Sequence, residues 1–182
     1  EIYHRLGVLL KETDNCPESF YNPRLRGIVE SLSDSKMLEV SEGAAVIFLD
    51  GFKDREDKPL PMIVRKSDGG YLYATTDLAA VRYRVEELKA NRIIYITDSR
   101  QSQHFAMLFA AVRKAGWVDE DVRLDHMPFG SVLGANRKPF KTRDGGTIKL
   151  SDLLDEATSR VSVVIQSKNP DLNEDERAEL AR

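Results

Sequence analysis

Cysteine is almost missing from this chain: Cys16 is the single thiol in 182 residues. One thiol makes no internal disulfide and cannot build a cysteine-rich zinc site. Such low usage fits a reducing compartment. No run of about 18 apolar residues occurs, so no membrane-spanning helix is expected. Histidine is scarce as well. His4, His104 and His126 lie far apart and lack metal-ligand spacing, so no resident metal is expected. The Gly-x-Gly-x-x-Gly fingerprint and the Gly-x-x-x-x-Gly-Lys-Ser/Thr loop are both absent. No Ser-His-Asp or Cys-His arrangement can be argued. The chain opens on Glu1-Ile2-Tyr3, with no Met and no signal-peptide pattern. It therefore reads as an internal piece of a longer protein.

What is present is an ordinary globular composition: 41% hydrophobic, 31% charged, with a formal charge of −3. This excludes collagen, a disordered tail and a disulfide-stapled miniprotein. The near-neutral total hides local bias. Arg137, Lys138, Lys141, Arg143 and Lys149 face only Asp144 within residues 131–149. The last twelve residues, 171–182, are acidic overall. A basic loop containing glycine suits phosphate, while an acidic terminal stretch suits a solvated helix face.

Periodicity places the elements. Asn22-Pro23 is expected to open a helix whose stripe is Leu25, Ile28, Val29 and Leu32. Short strands are expected over 37–40, 44–49, 62–65 and 71–74, separated by breakers such as Ser67-Asp68-Gly69-Gly70. Thr75-Thr76-Asp77 should then begin a helix carrying Leu78, Val81, Val85 and Leu88. The run Ile93-Ile94-Tyr95-Ile96 reads as a strand buried on both faces. A helix with Phe105, Leu108, Phe109 and Val112 follows, ended by Gly116, and residues 123–129 form the next strand. Strand and helix alternating in this way imply a parallel βαβαβ sheet, an α/β fold. Ser151 should cap a long final helix that Asn169-Pro170 stops, with a last helical segment from about Asn173.

Ligands of an open parallel sheet gather beyond the carboxyl ends of its strands. Loops 73–77, 97–104 and 130–147 arrive there. Tyr73 and Asp77 could grip a cation, and a guanidinium suits a carboxylate best because its donors pair with both oxygens. Equally, Asp77 could merely favour a helix N-terminus while Tyr73 packs. The polar run Asp98-Ser99-Arg100-Gln101-Ser102-Gln103-His104 could contact a nucleotide or an amino acid, or be a loop capped by Ser99 or Ser102. The glycine-containing basic loop at 134–146 could neutralise charge on a triphosphate, or be a solvated surface loop.

Four runs together resemble the bacterial-type arginyl-tRNA synthetases, a family of class I aminoacyl-tRNA synthetases. They are Tyr71-Leu72-Tyr73-Ala74-Thr75-Thr76-Asp77-Leu78-Ala79-Ala80, Asp98-Ser99-Arg100-Gln101-Ser102-Gln103-His104-Phe105, Val112-Arg113-Lys114-Ala115-Gly116-Trp117, and the stretch 134–154. The last includes Lys138-Pro139-Phe140-Lys141-Thr142-Arg143-Asp144-Gly145. The resemblance implies the second half of a Rossmann-like nucleotide-binding fold with a small antiparallel insertion. It implies a helical entry segment over 1–36, the insertion over 37–72 and the Rossmann-like half over 73–150. The helices of 151–182 would then lead towards an anticodon-binding domain.

By the same resemblance, Tyr73, Asp77, Gln101 and Glu18 bind substrate arginine. His104 lies near ATP, and Lys138, Phe140, Lys141, Thr142 and Arg143 belong to the mobile signature loop. That loop is usually written Lys-Met-Ser-Lys-Ser; here Thr142 stands where its second lysine is expected. The implied activity is a cytoplasmic arginine–tRNA ligase with ATP and Mg²⁺ as substrates and tRNA(Arg) as partner, away from membranes. The family's His-x-Gly-His motif is absent from these 182 residues, so the piece alone is expected to be inactive. The alternative is a non-catalytic arginine- or nucleotide-binding module of the same descent.

Overall fold

The computed structural model describes residues 2–130 and 149–181. In chain order the elements are α1 (Ile2–Arg5), two 3-10 segments (Glu12–Asp14 and Glu18–Arg24), α2 (Leu25–Asp34), β1 (Glu39–Ser41), β2 (Ala44–Lys53) and β3 (Pro59–Arg65). Next come α3 (Tyr73–Glu86), β4 (Arg92–Asp98), a 3-10 turn (Ser99–Gln101), α4 (Ser102–Lys114) and β5 (Arg123–Phe129). The chain ends in α5 (Leu150–Lys168) and α6 (Glu174–Leu180). Two compact units result, residues 16–131 and residues 1–15 with 132–182.

The larger unit begins with a change at the first helix. Asn22 is not its cap: residues Glu18–Arg24 wind as a 3-10 helix and α2 starts at Leu25. Phe20 and Tyr21 pack edge-on against Tyr83, and Arg24 lies 4.9 Å above the same Tyr83 ring. Aromatic burial therefore sets this entry rather than a capping side chain. The apolar stripe itself is as expected, with Leu25, Ile28 and Leu32 buried.

β1, β2 and β3 form an antiparallel meander. The β1–β2 turn has Glu42 at φ 50° and Gly43 at φ 78° between paired Ser41 and Ala44. Two left-handed residues are what a two-residue hairpin needs to match strand twist. The expected strand over 71–74 does not form. Only one bridge, Arg65 to Tyr71, continues the sheet, and Tyr73 already opens α3. The Thr75 hydroxyl, fully buried, donates to the carbonyl of Val64 and fastens the first turn of α3 to β3. That local bond and the packed face beyond it outweigh the β propensity of Tyr71 and Tyr73.

β4 and β5 pair in parallel over seven residues from Arg92↔Arg123 to Asp98↔Phe129, with α4 as the crossover. With 71–74 divided between one antiparallel bridge at Tyr71 and the head of α3, the described parallel sheet has two strands rather than three. β4 also differs from the expected doubly buried strand. Ile93 is buried, but Ile94 and Ile96 are exposed on the opposite face beside Met127 and Phe129. One core joins α2, α3 and α4 to the meander and to β4, and Leu32, Ile47, Val64, Leu78, Leu108 and Val112 are fully enclosed in it. Leu88, expected on the α3 stripe, lies past the helix end and is exposed. Gly116, at φ +69°, follows the cap of α4 as expected.

In the smaller unit α5 starts from Lys149, not from a Ser151 cap, and the Ser151 hydroxyl bonds Asp152 instead. Asn169 closes α5, and Asn173 caps α6 in a reciprocal arrangement with Glu176. Arg5 of α1 pairs with Asp155 of α5 at 2.7 Å.

Candidate functional site

The heads of α3 and α4 meet in the larger unit. Tyr73 is the first residue of α3 and Asp77 follows one turn later, so both side chains share a helix face. His104 is the third residue of α4, which begins just after β4 ends in the 3-10 turn Ser99–Gln101. Its Nε2 lies 2.7 Å from Asp77 Oδ2. A carboxylate only accepts, so Nε2 carries the hydrogen. The Tyr73 ring meets the imidazole edge-on at 5.0 Å between centroids. Tyr73 is 64% exposed, which leaves its hydroxyl open to a ligand, whereas Asp77 and His104 are half-buried. Asp77 Oδ1 has no partner among the described residues.

Behind this group stands an aromatic wall. Phe105 contacts His104 at 5.1 Å and stacks on His126 of β5 at 4.7 Å. The His126 Nε2, from the middle of β5, is 2.9 Å from the hydroxyl of Thr97 near the carboxyl end of β4. Tyr95 of β4 packs on Phe105 at 4.5 Å and accepts a hydrogen bond from Arg84 at 2.8 Å. Burial pushes the Tyr95 phenol well above its ordinary range; the Arg84 charge opposes this and the Asp77 charge adds to it. The field of Asp77 therefore reaches the strand beneath. A hollow of about 250 Å³ opens alongside, where residues 60–63 face Tyr73, His104 and Met107.

The structure thus brings Tyr73, Asp77 and His104 together. Gln101 is exposed one turn before His104, at the N-cap of α4, and its side chain has no partner among the described residues. Neither Ser99 nor Ser102 caps this segment. Asp98 does so, accepting from the Arg100 backbone N–H while its carboxylate pairs with the Arg100 guanidinium. Glu18 is exposed at the start of its 3-10 helix, and no contact among the described residues joins it to Asp77 or Tyr73. Lys138, Phe140, Lys141, Thr142 and Arg143 lie outside the described residues. Sequence reasoning set His126 aside for lack of metal-ligand spacing. Its link to the site runs through the register Tyr95↔His126 and the Phe105 ring, which only the parallel pairing reveals.

A family model described as tRNA synthetases class I (R), catalytic domain, matches residues 1–182. The chain belongs to this family. Among curated relatives, the arginine–tRNA ligase of Azotobacter vinelandii is 54% identical over 182 residues, and that of Hahella chejuensis is 54% identical over 181. Each match covers 100% of this chain and 31% of the relative. The crystal structure of arginyl-tRNA synthetase from Plasmodium falciparum superimposes with a TM-score of 0.76 at 31% identity, covering 99% of this chain and 28% of that one. The Thermus thermophilus arginyl-tRNA synthetase, at 21% identity, shares the fold with a TM-score of 0.64 over 86% of this chain and 31% of that one. The chain therefore spans about a third of the length of the curated relatives it matches. Its βαβ unit and meander are the class I, Rossmann-like architecture with an antiparallel addition. No helix among its described residues is long and apolar enough to cross a membrane.

Proposed function

We propose that this chain supplies the arginine-recognising part of an arginine–tRNA ligase active site. Asp77 would take the substrate guanidinium, with the exposed Tyr73 hydroxyl beside it and Gln101 and Glu18 as further contacts. The observation that carries this reading is the placement of Tyr73 and Asp77 on one face at the head of α3, with one carboxylate oxygen unpartnered among the described residues. A half-buried carboxylate rejects neutral amino acids, which would leave it without a charged donor. ATP, with Mg²⁺ on its phosphates, and tRNA(Arg) are the other substrates of the reading, with the basic loop around Lys138, Lys141 and Arg143 stabilising phosphate charge.

The reaction is two displacements. An arginine carboxylate oxygen forms a bond to the α-phosphorus of ATP while the bond to pyrophosphate breaks. The terminal ribose of the tRNA then attacks the arginyl carbonyl and AMP leaves. Neither step needs a covalent protein nucleophile, so the protein's part is to position reactants and stabilise charge. In the full-length protein, Asp77→Ala should raise the arginine KM by about ten- to hundredfold, as expected for loss of a charged hydrogen bond. The ATP KM should stay within about threefold, because the change touches no phosphate contact. The measurement is arginine-dependent pyrophosphate exchange with tRNA present. Unchanged arginine kinetics would remove Asp77 from the role, and arginine binding without any exchange would favour a non-catalytic module.

A further inference from the structure

The bond between His104 and Asp77 bears on how that carboxylate could be read by a cation. A guanidinium grips a carboxylate most firmly through both oxygens. Here His104 Nε2 already occupies one acceptor site of Oδ2 at 2.7 Å, and Oδ1 has no partner among the described residues, so Oδ1 is the freer oxygen. The imidazole is itself fixed, half-buried between the Tyr73 ring at 5.0 Å and the Phe105 ring at 5.1 Å. We infer that His104 is a positioning residue for Asp77: neutral, it aims Oδ1 at the substrate guanidinium; protonated, it competes with that guanidinium for the carboxylate.

Among the described residues, the charges around His104 are few. From α3 it faces the Asp77 carboxylate and the Tyr73 phenol. The β3 segment lining the adjacent hollow, residues 60–63, carries no titratable group. On the far side of Phe105 stand the Tyr95 phenol, with the Arg84 guanidinium on its hydroxyl, and His126. No second carboxylate appears among these groups to hold an imidazolium. When His104 takes a proton, its positive charge therefore falls on Asp77 and neutralises the group the substrate needs. The neutral form leaves a net negative charge there. Arginine binding should consequently expel one proton, and a one-proton linkage weakens binding by up to about tenfold per pH unit on the acid side.

This inference rests on Asp77 receiving the guanidinium, and the experiment separates the two ideas. Arginine-dependent exchange by the full-length protein, with tRNA present, is followed from about pH 8 to about pH 5.5, spanning the histidine range. The native arginine KM should rise on acidification while the ATP KM moves far less. His104→Gln keeps a neutral donor near Nε2 and cannot titrate. It should hold the arginine KM close to the native alkaline value and flatten the pH profile. His104→Ala removes the donor, so the arginine KM should rise about tenfold at every pH, again without slope. A native slope retained in His104→Gln overturns the inference. So does His104→Ala shifting the ATP KM instead of the arginine KM. If Asp77→Ala abolishes arginine use while both His104 variants behave as native, only the role of His104 fails. If Asp77→Ala is silent, both ideas fall.

Discussion

Tyr95 shows how a residue with no assigned role can be tied to the site by physics. Its hydroxyl sits under Arg84 at 2.8 Å, its ring lies on Phe105, and the Asp77 charge disfavours its ionisation. Burial is the largest influence and raises its pKa; Tyr21 is raised as well, again chiefly by burial. The sign follows from proton counting. A phenol whose folded pKa exceeds its unfolded value contributes in full below about pH 10. Above that, the unfolded chain sheds the proton first, so stability declines as pH rises towards the folded value. Urea unfolding between about pH 9 and about pH 11, bracketing the ordinary tyrosine pKa, should show this decline. Tyr95→Phe should cost about 1 kcal/mol at neutral pH through the lost Arg84 bond. It should also make the alkaline decline shallower. An unchanged alkaline slope would show that Tyr95 ionises freely in the fold.

At the scale of elements, the sequence was most legible where periodicity and burial agree. The stripe of α2, the span Arg123–Phe129 and the turn glycine after α4 could be read directly. Legibility failed where a tertiary bond or an uncovered face decided the outcome. Tyr71 and Tyr73 look like strand residues, yet α3 begins at Tyr73 because Thr75 is bound to Val64 eleven residues earlier. Ile94 and Ile96 look like core, yet one face of β4 stays uncovered. The site was partly legible. From the sequence Tyr73 and Asp77 could be placed at one crevice, as a strand end and a helix start; that they share a helix face, and that His104 approaches them, depends on Tyr73 joining α3 and on two helix heads meeting, which the sequence does not encode locally. Thr75 can be tested as the fastening of α3. Thr75→Val leaves the buried Val64 carbonyl without its donor and should cost about 1–3 kcal/mol. Thr75→Ser keeps the hydroxyl and should recover much of that loss. Chemical denaturation of both variants measures the difference, and a neutral Thr75→Val would move the credit to packing by Leu78 and Val81.

At the scale of the whole molecule, the question is how much of a two-substrate activation one segment can carry. The described site presents a carboxylate, a phenol and an imidazole, groups suited to the cationic end of an amino acid. The strand that leads to His104 belongs to a parallel pair with Ile94, Ile96, Met127 and Phe129 exposed on the other face. A parallel sheet is ordinarily covered on both faces, and a two-stranded one is marginal alone. The 182 residues contain no His-x-Gly-His motif, and they correspond to 31% of the length of the full relatives. Binding and catalysis should therefore separate. The chain expressed by itself should give no arginine-dependent pyrophosphate exchange even with tRNA added, because activation requires both reactants held in one geometry. The full-length protein should exchange under the same conditions, and Asp77→Ala should raise the arginine KM of that exchange. Exchange by the 182-residue chain alone would mean that its own residues complete the ATP site, and the division of labour argued from Asp77 and His104 would have to be redrawn around the basic loop.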